Sequence, residues 1–280
     1  MAIPDLRNKH VVITGAGSGI GRSAALAFAR RGAHIFASDL RLEPLESLQK
    51  EIATLGGVCR IHAVDVASEK SMKEYAERVH GEAGAADVLI NNAGIAYLGL
   101  FLQSDLEHWQ RVLNVNLMGV VHGCRYFIPK MVEAGGARQV LNVASSAGNY
   151  PAPSMAAYAA SKFAVNGFSE VLKMELATTR IGVTTVCPGV INTAIVTTGS
   201  GVSPAMQAQQ IDRLQSYYKS KGCSPDVVAE DMVRAVQTGQ DICLTGPAAA
   251  LVYHVKRISV RLLRALMIRS ARKVGYLERA

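Results

Sequence analysis

The sequence predicts an α/β protein: a doubly wound parallel sheet in three layers, forming a single domain that ends in a basic amphipathic C-terminal helix. Three observations carry this expectation. Short β-branched runs alternate with helical patterns as far as about residue 190. The runs are apolar throughout, as strands covered on both faces must be. A chain of 280 residues with 49% hydrophobic and 19% charged side chains is enough to bury a sizeable core.

Taken in order, "HVVITG" precedes a helix over 23–31, "HIFASD" one over 45–55, and "CRIHAVD" one over 71–82. "ADVLINNAG" is followed by a helical pattern from about Asp105 to Val132, "RQVLNVAS" by one from about Ser154 to Thr179, and "GVTTVCPG" supplies a sixth strand. Strands joined through helices run parallel, with the helices on both faces. Residues 194–225 break the rhythm with Gly, Ser, Gln and Pro, which places a substrate lid there, and "DICLTG" is a last strand. The expected division is a catalytic domain over 1–248 and a basic helical tail over 249–280, with no internal repeat or low-complexity segment.

Composition excludes several classes of function. Five cysteines, an odd number without a CxxC pair, suggest neither a disulfide framework nor a zinc site and point to a reducing cytoplasm. Seven histidines show no HxxxH or HxH spacing, so no metal is expected, and no GxSxG elbow marks a serine hydrolase. The start "MAIPDLRNKHVVITG" lacks the pattern of a signal peptide, and no apolar stretch reaches spanning length. The net charge of +8 is uneven: residues 250–280 hold eight Lys/Arg against Glu278 alone, a net of +7, which leaves +1 for residues 1–249. The basic character belongs to a tail, and a nucleic-acid-binding globule is not expected.

The motifs sit where a ligand crevice of such a sheet would lie. "TGAGSGIG" places Gly15, Gly19 and Gly21 between the first strand and the first helix. Glycines there allow a tight turn and close approach of a pyrophosphate to the helix N-terminus, although a plain strand-to-helix turn has the same composition. Asp39 ends the second strand, where a carboxylate can accept bonds from both ribose hydroxyls and repel a 2′-phosphate. That favours NAD over NADP, while Arg41 leaves NADP open, and an ordinary helix-capping aspartate is the bland alternative. Asp65 and Val66 end the third strand and Asn91–Gly94 the fourth, at the carboxyl ends where ligands bind. Tyr158 and Lys162 of "YAASK" fall on one helix face, one turn apart.

"TGAGSGIG", "NNAG", "NVNLMG", a serine thirteen residues before the tyrosine of "YAASK", and "PGVINT" occur in the order and spacing of the short-chain dehydrogenase/reductase family. The chain resembles the single-domain branch of about 250 to 280 residues, over roughly residues 8–195. The resemblance implies a Rossmann-like fold and hydride transfer between a nicotinamide dinucleotide and an alcohol or ketone. Tyr158 would be the general acid/base, and Lys162 would hold the nicotinamide ribose and lower the tyrosine pKa by opposite charge. Ser145 would steady the substrate oxygen, with Ser146 as a neighbouring hydroxyl that strand alternation would turn away. Asn116 would bind a relay water. Gly15, Ser18, Gly19, Ile20, Gly21, Asp39, Asp65, Val66, Asn92, Ala93 and Gly94 would contact the dinucleotide. Pro188 and Gly189 would flank its nicotinamide, and Ile191 and Thr193 would meet its carboxamide. A homodimer or homotetramer through the helices carrying Asn116 and Tyr158 is implied as well.

"NYPAPSMAA" and "GVINTAIVTTGSG" would wall the substrate pocket, and neither offers an Arg or Lys to clamp a carboxylate or phosphate. A neutral lipophilic secondary alcohol or ketone, steroid-like, long-chain or acyl, is therefore expected. An NADP-dependent carbonyl or 3-oxoacyl reductase is the nearest alternative within the family, and a non-catalytic dinucleotide sensor the alternative outside enzymes. In the tail, Val252, Val255, Ile258, Leu262, Leu263, Leu266 and Met267 gather on one side and Arg257, Arg261, Arg264 and Arg272 on the other. A helix over 250–273 would serve either as a peripheral membrane contact or as a cap over the pocket or a partner subunit.

Overall fold

Strand β1 (His10–Thr14) lies near the middle of a seven-stranded sheet ordered β3-β2-β1-β4-β5-β6-β7. The others are β2 (His34–Asp39), β3 (Val58–Ala63), β4 (Val88–Asn91), β5 (Arg138–Val143), β6 (Ile181–Pro188) and β7 (Ile242–Thr245). Every pairing is parallel. The computed structural model describes residues 1–150, 152–193, 195, 201–274 and 277.

The apolar runs face both ways, as side chains alternating along a strand must. Val11, Ile13, Ile35, Ala37, Val88 and Ile90 face one layer, made of α1 (Gly19–Ala29), α2 (Glu43–Thr54) and α8 (Pro225–Thr238). Val12, Phe36, Leu89 and Val140 face the other, built from α3 (Glu69–Ala83), α5 (Gly119–Ala134) and α6 (Ala156–Glu175). Phe28 and Phe127, one in each layer, are fully buried, and each such side chain stabilises the fold by about 1.5–3 kcal/mol.

Three segments depart from expectation. The helix expected over 105–132 is interrupted: α4 (Leu106–Leu113) passes through a π turn, Asn114–Met118, into α5. The lid segment is not wholly irregular, because it contains α7 (Ala208–Lys221), whose Gln207 and Gln210 form a reciprocal cap; Ala194 and residues 196–200 lie outside the described residues, as does Pro151 of the expected pocket wall. The single tail helix is two, α9 (Ala249–Ile258) and α10 (Val260–Val274). They are parted at Ser259, which is extended at φ −157° and whose Oγ accepts from the Leu262 N–H at 3.2 Å. A serine that caps from its own side chain starts a new helix rather than continuing the old one. Among the described residues no helix is long and apolar enough to cross a membrane.

β1 and β4 are adjacent in the sheet although α1, β2, α2, β3 and α3 separate them in sequence. Chain connections leave this point in opposite directions, which opens a crevice at the carboxyl ends of the strands. At its floor a Cβ on Gly21 would collide with the Gly15 carbonyl oxygen and come within 2.5 Å of Asn92 Nδ2. Gly21→Val is therefore expected to lower the urea unfolding midpoint by an amount equivalent to about 1–3 kcal/mol. An unchanged midpoint would contradict the packing described.

Candidate active site

The loop between β1 and α1 turns through Gly15 at φ 65° and Gly19 at φ 52°, left-handed values that cost a side chain but not glycine. The Ser18 side chain makes no capping bond, so the first N–H groups of α1 are available to an anion. The loop is tied to the next strand end: Asn92 Nδ2 donates to Thr14 O at 2.9 Å and Gly15 O at 3.1 Å, while Thr14 Oγ1 accepts from the N–H groups of Asn92 (3.0 Å) and Ala93 (3.1 Å). Asp39 Oδ2 accepts from the Gly17 N–H at 2.9 Å, which fixes the carboxylate against the loop. The Thr193 methyl lies over the other side of it, 3.3 Å from where a Cβ of Gly19 would be.

A cavity of about 940 Å³ opens here, large for a single ligand and roomy enough for a dinucleotide and a second molecule. Gly15, Ser18, Gly19, Ile20, Asp39, Asp65, Val66, Asn92, Ala93 and Gly94 line one part; Ser145, Tyr158, Lys162, Pro188, Gly189, Ile191 and Thr193 line the next. Gly21 and Asn116 stand behind the wall. An uncapped helix start, a glycine turn and a fixed carboxylate at one end of a cavity this size fit a nicotinamide dinucleotide. Asp65 is exposed and accepts from its own Ala67 N–H at 2.9 Å, which leaves its second oxygen for the cavity.

Ser145, Tyr158 and Lys162 come together although they belong to different elements. Ser145 ends β5 by capping a short 3₁₀ turn, its Oγ accepting from the Ala147 N–H at 3.1 Å. Because β5 stops at Val143, strand alternation does not turn Ser146 away, and Ser146 lines the cavity too. What distinguishes Ser145 is its hydrogen bond with Tyr158. Tyr158 is buried, and burial pushes its hydroxyl up to about 12 against the smaller lowering effect of Ser145. Lys162, 3% exposed, is pushed down to about 8 by burial.

The expectation that Lys162 lowers the tyrosine pKa needs correction. Lys162 Nζ donates to the Val143 carbonyl at 2.8 Å and lies 5.7 Å from the Tyr158 ring centroid. Burial is the largest influence on both groups, opposed by Ser145 at the tyrosine and by Cys187 at the lysine. Asn116, in the π turn, is fully buried; its amide donates to Ile95 O at 2.9 Å and Ser161 Oγ at 3.0 Å, and its Oδ1 accepts from the Ile95 N–H at 2.8 Å. Asn116 Oδ1 and Lys162 Nζ each lie 3.4 Å from where a Cβ of Gly94 would be, so the two polar groups flank one glycine.

The rest of the wall comes from residues that motifs did not flag. Leu214 of α7 is buried with Tyr158, Leu98, Met155 and Ala271, and Tyr218 packs against this cluster. Leu214, Tyr217 and Tyr218 repeat at helical spacing, a signal present in the lid sequence. Val252, Val255, Leu263, Leu266 and Met267 also face the cavity, so the tail roofs it. At another part of the wall the Tyr97 and His108 rings stack at 4.2 Å, and His108 Nδ1 pairs with Asp105.

Residues 9–200 match the family model for short chain dehydrogenases. The chain is a short-chain dehydrogenase/reductase. It is 40% identical over 259 residues to the probable oxidoreductase EphD of Mycobacterium tuberculosis, covering 91% of this chain and 44% of that protein; the chain thus spans less than half the length of this relative. SadH of the same organism, also named as an oxidoreductase, is 34% identical, with 89% of this chain and 90% of that one covered. A solved short chain dehydrogenase/reductase from Burkholderia phymatum in complex with NAD superposes with a TM-score of 0.85 at 28% identity, covering 93% and 96% of the two chains. These two relatives are named as oxidoreductases, and the Burkholderia structure holds NAD.

Burial of Lys162 has a thermodynamic consequence. Its folded pKa of about 8 lies below the unfolded value of 10.5, so the unfolded state binds the extra proton between these limits and stability rises with pH there. Below pH 8 both states are protonated and the full cost, about 3 kcal/mol, is present. Lys162→Met is expected to be more stable than the wild type at pH 7 by about 1–3 kcal/mol, and the gap to narrow by pH 9.5. Urea unfolding at the two pH values measures both; a gap independent of pH would contradict the assignment.

Proposed function

We propose that the protein is an NAD(H)-dependent oxidoreductase of lipophilic secondary alcohols and ketones, steroid-like, long-chain or acyl. One observation carries the substrate class: around Tyr158 the cavity is walled by Leu263, Met267, Met155, Ala152, Ile195 and Ala271, a surface that rewards apolar area.

A dinucleotide held by the glycine loop, Asp39 and Lys162 would supply hydride-transfer chemistry at the substrate carbon. Tyr158 moves the matching proton, giving its Oη proton to the ketone oxygen or accepting one from the alcohol. Ser145 holds the substrate oxygen by a hydrogen bond, which opposes the charge that develops there. Lys162 holds the ribose hydroxyls, and Asn116 positions water between Lys162 and solvent. Because Lys162 is pushed down to about 8, it can exchange a proton near working pH, as a relay needs.

Asp39, fixed by the Gly17 N–H, supports NAD through the ribose hydroxyls and disfavours a 2′-phosphate. Arg41 lines the same part of the cavity, and this observation supports NADP as the second reading. The residues 1–248 would form the catalytic unit, with the lid over 194–225. A homodimer or homotetramer through α5 and α6 is supported by the exposure of Val132, Phe163, Val171 and Met174 on them. Five free cysteines accord with a cytoplasmic setting, in solution or at a membrane surface.

The test is NADH and NADPH oxidation with ketones of increasing chain length. NADH should be preferred, and kcat/KM should rise with chain length. Tyr158→Phe should lower kcat by about 10²–10⁴; equal rates would overturn the role given to Tyr158. Asp39→Ser should shift preference toward NADPH by roughly five- to tenfold, the effect of relieving about 1 kcal/mol of like-charge repulsion.

A further inference from the structure

One face of α10 is used and the other is not. At about 100° per residue, Leu263, Met267 and Ala271 form an inner stripe that lines the cavity, and Leu263 and Ala271 are buried. The outer half carries Arg261, Arg269 and Arg272 interleaved with Leu262 and Ile268, which are 54% and 36% exposed. At the end of α9, Ile258 is 82% exposed.

Among the described residues these cations have no acidic counterpart. No Asp or Glu occurs between Ala249 and Lys273, and among the described residues no salt bridge reaches any Lys or Arg of α9 or α10. Lys256 lies over the Phe163 ring at 4.6 Å and Arg257 over the Tyr253 ring at 3.5 Å. The cations of α10 have no such ring contact among the described residues. A water-facing helix normally interleaves acids with its bases at helical spacing, and it does not set branched aliphatic side chains between them. A polyanion would complement the charge alone. An anionic bilayer complements both, offering phosphates to the guanidinium groups and the acyl boundary to Ile258, Leu262 and Ile268.

We propose that the outer face of α10, with the end of α9, docks the protein on an anionic lipid surface, so that one thin helix separates the bilayer from the cavity. The inference deepens the proposed function and rests on its lipophilic substrate only for the purpose of docking: it brings the cavity roof to the phase in which such a molecule dissolves.

The experiment is co-sedimentation of the full chain with vesicles of equimolar phosphatidylcholine and phosphatidylglycerol, against vesicles of phosphatidylcholine alone. Binding is expected only to the anionic vesicles, weakening steeply with salt. Each cation contributes roughly a fivefold gain in partitioning, so R261Q/R269Q/R272Q together should weaken binding on the order of a hundredfold. L262S/I268S, which keeps every charge, should weaken it as well. Equal binding to both vesicle types, or none, would overturn the proposal. So would equally tight binding to duplex DNA or a polyacidic protein that L262S/I268S leaves unchanged, or ultracentrifugation showing that L262S/I268S dissociates an oligomer, which would make the patch a subunit contact. Turnover of the chain-length series of ketones without vesicles keeps the two readings apart: vesicle binding with no turnover of any of them rejects the proposed function alone, and turnover with no vesicle binding rejects the docking alone.

Discussion

The clamp between Thr14 and Asn92 is the interaction on which the site depends. Four hydrogen bonds join the ends of β1 and β4 at the one place where the sheet reverses its direction of winding. With those ends fixed, the glycine loop cannot rise away from β4, and the chain beyond Asn92 is held close enough for Gly94 to lie between Asn116 and Lys162. The polar groups of the clamp satisfy one another inside the fold, which is why a buried loop is tolerated there.

Charge in the centre of the site is set by burial more than by pairing. Tyr158 and Lys162 are both deep, and each is pushed toward its neutral form. A buried lysine that serves only stability would be better replaced by an apolar side chain. Lys162 stands beside a buried tyrosine with a backbone carbonyl as its hydrogen-bond partner, an arrangement that the proposed proton exchange would explain.

Much of this was legible in the sequence. Apolar runs between helical patterns gave the parallel sheet, since no other arrangement buries both faces of so many short strands. The glycine turn, "NNAG" and "YAASK" marked strand ends and a helix face, where local spacing decides position. Less legible was whatever depends on long-range packing. Tyr217 and Tyr218 reach the cavity because the lid folds as a helix, and glutamines give a weak helix-start signal. Ser259 divides the tail because its own side chain caps α10, which an amphipathic plot that assumes one continuous helix cannot show. The balance of burial and charge at Lys162 was hidden as well, because spacing alone does not give depth.

The π turn at Asn114–Met118 sets a rotational phase. Its Gly119 N–H bonds back to Asn114 O, five residues away, so one extra residue is taken up without lengthening the helix by a turn. Val112 can therefore face inward before it, Asn116 can turn its amide onto Ile95 within it, and Val120, Cys124 and Phe127 can face the sheet after it. In an unbroken α-helix the two halves would be about 100° out of register, and either the carboxamide or the core would face the wrong way. For this segment residue count matters as much as residue identity: a single deletion acts on the whole of α5, as a change of phase.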